Sequence, residues 1–278
     1  MDFTIRPEAE QNTGFLDLSR APFDVEKHAI YSVIAGSRGY GINTASSDTD
    51  VRGVFFPPLR YVTGMSLVSQ IENQSKDIVY WNLKRFFELA YKSNAHILEM
   101  LYMHPDSINF IKPSMQKVID NRSMFISKAI GHSFGKYAYS QVCQMDLKRQ
   151  NNTGRVTLIE EFGYDVKLFC HAVRLFRMGT EALLTGELKV KRPDAAELLE
   201  IRAGKYSFEE AVTFKKCEVE FMGKDGVVRT KTKSIITGGF IFEEQCKLEN
   251  AFMESKLPES LDFYKIESLL MQIQSELM

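Results

Sequence analysis

The stretch Ile30–Phe56, IYSVIAGSRGYGINTASSDTDVRGVFF, constrains this chain more than any other, because two β-rich runs flank a glycine-serine turn and a polar loop. Ile30 to Ala35 favours a strand and stops at Gly36-Ser37, where glycine permits a tight turn with N–H groups pointing outward. Those donors, with the Ser37 hydroxyl, suit an anionic phosphate. After the loop, Ser47 to Phe56 reads as a second strand that opens with Asp48-Thr49-Asp50. An extended backbone puts Asp48 and Asp50 on one face, with Thr49 and Val51 on the other.

Two neighbouring carboxylates repel, and burying them without a counter-charge is costly. A divalent cation removes the conflict. Mg²⁺ is held by one or two carboxylates together with phosphate oxygens and waters, so this pair facing Gly36-Ser37 makes sense as a metal and nucleotide site. Singly, each element has a plainer reading: Gly-Ser as an ordinary turn, Asp-x-Asp as a solvated turn or cap. Their order and separation point to one site.

Gly36-Ser37, Tyr40-Gly41 and Ser47-Asp48-Thr49-Asp50-Val51-Arg52-Gly53 together resemble the signature of the DNA polymerase β-like nucleotidyltransferase superfamily. More narrowly, they resemble its predicted branch associated with RNA ligases. The resemblance implies an α+β fold with a mixed-sheet nucleotidyltransferase palm. It also implies two Mg²⁺ ions on three acidic ligands and a nucleoside triphosphate (NTP) substrate. The expected reaction moves a nucleoside monophosphate to a hydroxyl acceptor, an RNA end, with an RNA ligase as a partner. A transferase that modifies a protein, as in antitoxin-like members, and a non-catalytic NTP-binding regulator are the alternatives.

In such a site Asp48 and Asp50 bridge the metals. The third ligand comes from a later strand, which makes Asp77 the candidate and Glu72 the reserve; Asp77 also reads as a strand-edge or turn residue. Arg38 and Arg52 add positive charge beside Gly36 and Ser37, although Arg52 also reads as a strand residue paired with a nearby carboxylate. Tyr40 either stacks on a base or packs, and packing is favoured.

At 278 residues and 44% hydrophobic content the chain is long enough for two domains with sizeable cores. The expected division is a palm over 1–120 and a mainly helical domain over 121–278 carrying a β-hairpin near 217–236. A net charge of −1 gives no global sign of nucleic-acid binding. Cys143, Cys170, Cys217 and Cys246 lack metal-ligand spacing and read as reduced thiols, which argues against zinc. No apolar run reaches membrane-spanning length and Met1-Asp2-Phe3-Thr4 opens no basic signal region, so the expectation is a cytoplasmic protein with no membrane partner.

Along the chain, residues 1–20 read as an irregular arm, and Pro57-Pro58 ends the second strand. A short strand over Ser66–Ile71 precedes a third strand over Asp77–Trp81 and an amphipathic helix over Asn82–Lys92, with Leu83, Phe86, Phe87, Ala90 and Tyr91 at helical spacing. A further helix follows Ser93 or Asn94 as cap; its Glu99 reads as a solvated residue, with reach to the site as the other reading.

Helices are expected over Ser133–Gln150 and Tyr164–Thr185. Lys167, His171 and Arg174 share one face of the second, either as a solvated stripe or as phosphate or RNA contacts. Leu188–Pro193 reads as a short basic strand or linker, and short helices follow over Ala195–Ile201 and Phe208–Phe214. Lys224-Asp225-Gly226 turns a hairpin whose Arg229, Lys231 and Lys233 line one face, either against an RNA backbone or as an edge that discourages strand pairing. Helices over Phe242–Met253 and Leu261–Leu277 end the chain.

Overall fold

The computed structural model describes residues 15–64, 67–222 and 228–278, apart from the side chains of 217–222, 229 and 231–234. The start of the expected arm (1–14), Ser66, the Lys224-Asp225-Gly226 turn and the side chains of Arg229, Lys231 and Lys233 lie outside the described residues. Described residues fall into two compact units. One holds the chain up to Ile126 with Lys189–Arg192 and Ser260–Met278; the other holds Ser127–Leu188 and Pro193–Glu259. The expected division into 1–120 and 121–278 leaves out the two later segments that rejoin the first unit, because only tertiary contacts recruit them.

The first unit is built on a six-stranded mixed sheet: β1 (Phe15–Asp17), β2 (Ala29–Ala35), β3 (Asp50–Phe55), β4 (Gln70–Glu72), β5 (Ile78–Asn82) and β6 (Ile108–Ile111), in the order β1-β4-β5-β3-β2-β6. β2 pairs antiparallel with β3, β3 runs parallel to β5, and β2 and β3 lie inside the sheet. That placement explains why Ile30 to Val33 is apolar almost without alternation: all but Ile34 of β2 is buried. In β3 the burial changes along the strand, with Gly53, Val54 and Phe55 buried while Asp50, Val51 and Arg52 are part-exposed. The polar end of the strand is thus the end that reaches solvent.

Gly53 is required where β3 passes β5. A Cβ there would run into the Tyr80 ring and stand 2.9 Å from the Tyr31 carbonyl oxygen. Val25, Ala29, Phe55, Val68, Ile71 and Tyr80 form one buried cluster. The helix Leu83–Tyr91, capped by the Asn82 side chain, buries Leu83, Phe86, Phe87 and Ala90 at the expected spacing. The helix Ala95–Leu101 is capped by Asn94. Tyr31 of β2 donates from its hydroxyl to the Met100 carbonyl at 2.7 Å, and burial pushes that hydroxyl's pKa well above the ordinary tyrosine value. Phe263 of the terminal helix Phe263–Leu277 meets the Tyr91 ring edge-on at 5.6 Å.

The second unit centres on the helices Ala129–Asn151, Val166–Thr185 and Phe240–Glu254, with the antiparallel pair β7 (Thr213–Met222) and β8 (Val228–Gly238). Asp165, fully buried, caps the second helix through the Lys167 and Leu168 N–H groups, and Gly186 in the left-handed region ends it. The expected basic stripe on this helix is not a surface. Arg174 is 2% exposed, with Nη1 3.1 Å from the Met178 sulfur. His171 stands edge-on to Tyr137 at 5.0 Å, and only Lys167 is exposed. Helical spacing placed these three on one side, but neighbouring helices cover most of that side.

Arg177, one turn further on, forms ion pairs with Asp194 at 2.6 Å, Glu197 at 2.7 Å and Glu244 at 3.4 Å. Glu244 is buried and also accepts from Lys247 at 2.9 Å. The Arg177 hydrogen bond holds the Glu197 carboxyl below its ordinary value of 4.5. A carboxyl whose pKa falls on folding contributes stability above its unfolded value, and that contribution is lost as pH falls through the folded value. Urea unfolding followed from pH 6 downward is therefore expected to show the wild type losing stability below about pH 4.5, and Glu197→Gln losing less over the same window, on the linkage of protonation to folding.

Candidate nucleotide and metal site

The site is set by how β2 leaves the sheet. Ala35, its last residue, pairs with Asp50, the first residue of β3. Gly36 then turns at φ 61 and opens a short helix, Gly36–Tyr40, in place of the simple turn expected at Gly36-Ser37. A Cβ on Gly36 would collide with the Asp50 carboxylate, whose Cγ would lie 2.8 Å from it. Glycine is needed twice here, for its backbone conformation and for the room it leaves. The phosphate-suited turn and one carboxylate of the pair are in direct contact.

The second carboxylate sits differently. β3 begins at Asp50, so Asp48 lies in the loop ahead of the strand, exposed, and of the two aspartates expected in the strand only Asp50 is part of it. Arg38 braces that loop: Nη2 donates to the Ser47 carbonyl at 2.9 Å and Nε to the Asp48 carbonyl at 3.3 Å. Arg52 shares the Asp50 face of β3, two residues along. Nη2 donates to Asp50 Oδ1 at 3.1 Å, while Nη1 donates to the Asp77 carbonyl at 2.9 Å and to the Val51 carbonyl at 3.0 Å. A guanidinium thus supplies counter-charge to Asp50.

Asp77 precedes β5 (Ile78–Asn82) rather than opening it. Its carbonyl accepts from the Val51 N–H at 2.6 Å, and the pairing of Val51 with Ile78 brings it to the same sheet edge as Asp50. Glu72 is engaged elsewhere, by Gln70 at 2.8 Å and Lys76 at 3.6 Å. Among the described residues no three His, Cys, Asp or Glu side chains are grouped as they stand to hold a metal ion. Of the two aspartates, Asp50 is the one whose carboxylate lies against the Gly36 turn, and a carboxylate is a hard oxygen donor of the kind Mg²⁺ takes.

A model of the RNA repair pathway DNA polymerase beta family, RlaP, matches residues 13–225. The chain belongs to this family. The match spans the mixed sheet and the helices Ala129–Asn151 and Val166–Thr185 and ends before β8; the α+β architecture, a six-stranded mixed sheet with a C-terminal helical region and a strand pair, is consistent with a nucleotidyltransferase palm. No curated protein and no solved structure matches the chain. Among the described residues no helix is long and apolar enough to cross a membrane.

Two features depend on distant segments. Glu99, for which the sequence offers a solvated residue or one that reaches the site, is 4% exposed and accepts from the Tyr40 hydroxyl at 2.7 Å. The segment Lys189–Arg192 docks on the same helix end, its Arg192 N–H donating to the Tyr40 carbonyl at 3.0 Å. Glu99 falls within an apolar helix pattern, which is a usable signal of burial; nothing local in Lys189–Arg192 announces its docking. Lys167, His171 and Arg174 belong to the other unit.

Gly36→Ala tests the central contact. A left-handed conformation forced on an L residue, plus collision with the carboxylate, is expected to cost about 1–3 kcal/mol, read as a lower urea midpoint with an unchanged m value.

Proposed function

We propose that the chain transfers a nucleoside monophosphate from an NTP to a hydroxyl of an RNA end. In this reading Gly36 and Ser37 hold the triphosphate with backbone N–H groups and the Ser37 hydroxyl, and Arg38 adds positive charge beside them. Asp48, Asp50 and Asp77 are the residues to hold divalent cations, two Mg²⁺ by family analogy, with Arg52 keeping Asp50 oriented. When bound, such ions neutralise phosphate charge and lower the pKa of the attacking hydroxyl. The acceptor hydroxyl releases its proton to solvent as its oxygen bonds to the α-phosphorus, the bond to the bridging oxygen breaks, and pyrophosphate leaves with that oxygen. Positioning and charge neutralisation do most of the work in such a transfer. An RNA ligase acting on the same ends is the partner this chemistry fits.

The observation that carries the reading is the contact between Gly36 and the Asp50 carboxylate. It joins a phosphate-suited backbone to a metal-suited oxygen at one sheet edge.

The test is label transfer from α-labelled NTP to RNA in Mg²⁺. Asp50→Asn is expected to lower the rate at least about 100-fold, the scale of losing preorganised electrostatic stabilisation. Equal labelling by wild type and Asp50→Asn would sink the proposal. Label on a co-purified protein would instead make that protein the acceptor, and NTP binding without turnover would make the chain a regulator.

A further inference from the structure

The helix Gly36–Tyr40 has 5 residues, too few to hold its own direction through internal hydrogen bonds. Its bearing must come from contacts at its ends. At the first end Gly36 abuts Asp50. At the last end Tyr40 is gripped from two sides. Its hydroxyl donates to Glu99 Oε2 at 2.7 Å, and its carbonyl accepts from the Arg192 N–H at 3.0 Å. The next residue, Gly41, caps the helix at φ 73 with the Lys191 Cγ positioned 3.8 Å from where its Cβ would be.

Glu99 and Arg192 are both 4% exposed. A carboxylate buried so deeply on a helix carries a desolvation cost that an apolar residue of similar size avoids. Packing alone does not call for an acid at this position, and the bond to Tyr40 is one polar contact that uses it.

We propose that Glu99 and the Lys189–Arg192 strap are positioning elements of the nucleotide site, which latch Tyr40 and thereby hold Gly36 and Ser37 in register with Asp50. Neither element touches substrate; both act through the helix. The inference rests on Gly36-Ser37 as the triphosphate cradle, and it assigns Tyr40 to the latch, its hydroxyl being committed to Glu99.

Three variants separate the latch from general packing. Tyr40→Phe keeps the ring and removes the hydroxyl, Glu99→Gln keeps an acceptor oxygen, and Glu99→Ala removes it. Loss of the bond is expected to speed amide exchange at residues 36–41 about ten-fold in Tyr40→Phe and Glu99→Ala, the scale of one charge-assisted hydrogen bond, with β5 amides unchanged. In the same two variants KM for NTP rises about ten-fold while kcat falls less, because a cradle that is out of register weakens binding first. Glu99→Gln restores both readouts most of the way.

Wild-type exchange in Tyr40→Phe, or Glu99→Gln as impaired as Glu99→Ala, would overturn the latch. Faster exchange with KM unchanged would also overturn it, leaving a bond that holds the helix without serving the site. If the wild type transfers no nucleotide, the transferase reading falls by itself, while the exchange measurements still decide whether the Glu99 bond holds this helix.

Discussion

The contact of the Asp50 carboxylate with the bare backbone of Gly36 is what the rest of the first unit depends on. Both residues are placed by the antiparallel pairing of β2 with β3, in which Ala35 stands opposite Asp50. A one-residue slip would turn Asp50 to the other face and separate the carboxylate from the turn. The buried run of β2 and the close passage of Gly53 under Tyr80 make such a slip costly, since each fits only one alignment.

Two arginines are engaged around that contact. Arg52 faces Asp50 and reaches the Asp77 carbonyl, so one guanidinium ties β3 to the residue that leads into β5. Arg38 holds the carbonyls of Ser47 and Asp48, which fixes the loop that carries the first aspartate. Arg52 thus compensates part of the negative charge at this end of the sheet.

In the second unit several charges meet in one ion-pair network around the buried Glu244. Arg177 gathers Asp194, Glu197 and Glu244, and Lys247 adds to Glu244, so that acids and bases from three helical regions close one network. Gly179 permits the close packing beside it: a Cβ there would stand 2.9 Å from Leu248 and 3.1 Å from Phe134. The Arg174 side chain, buried on the same helix, belongs to this interior.

Local chemistry in the sequence determined the elements: the strand ending at Gly36, the helix opened by Asn82 with its buried Leu83, Phe86, Phe87 and Ala90, the long helix closed by Gly186, and two strands within 217–236, which pair antiparallel as parts of β7 and β8. It also determined the family signature, because Gly36-Ser37 and Asp48-Thr49-Asp50 lie close together in one β-turn-β unit whose chemistry is local. Tertiary structure alone decided the rest. Whether Glu99 met water or Tyr40, whether Arg174 faced a ligand or a helix interior, and where Lys189–Arg192 docked all depend on which distant segment covers a given face. Periodicity assigns a residue to a side of its helix or strand, but burial and hydrogen bonding are set by the partner that arrives there, and that partner is written elsewhere in the chain.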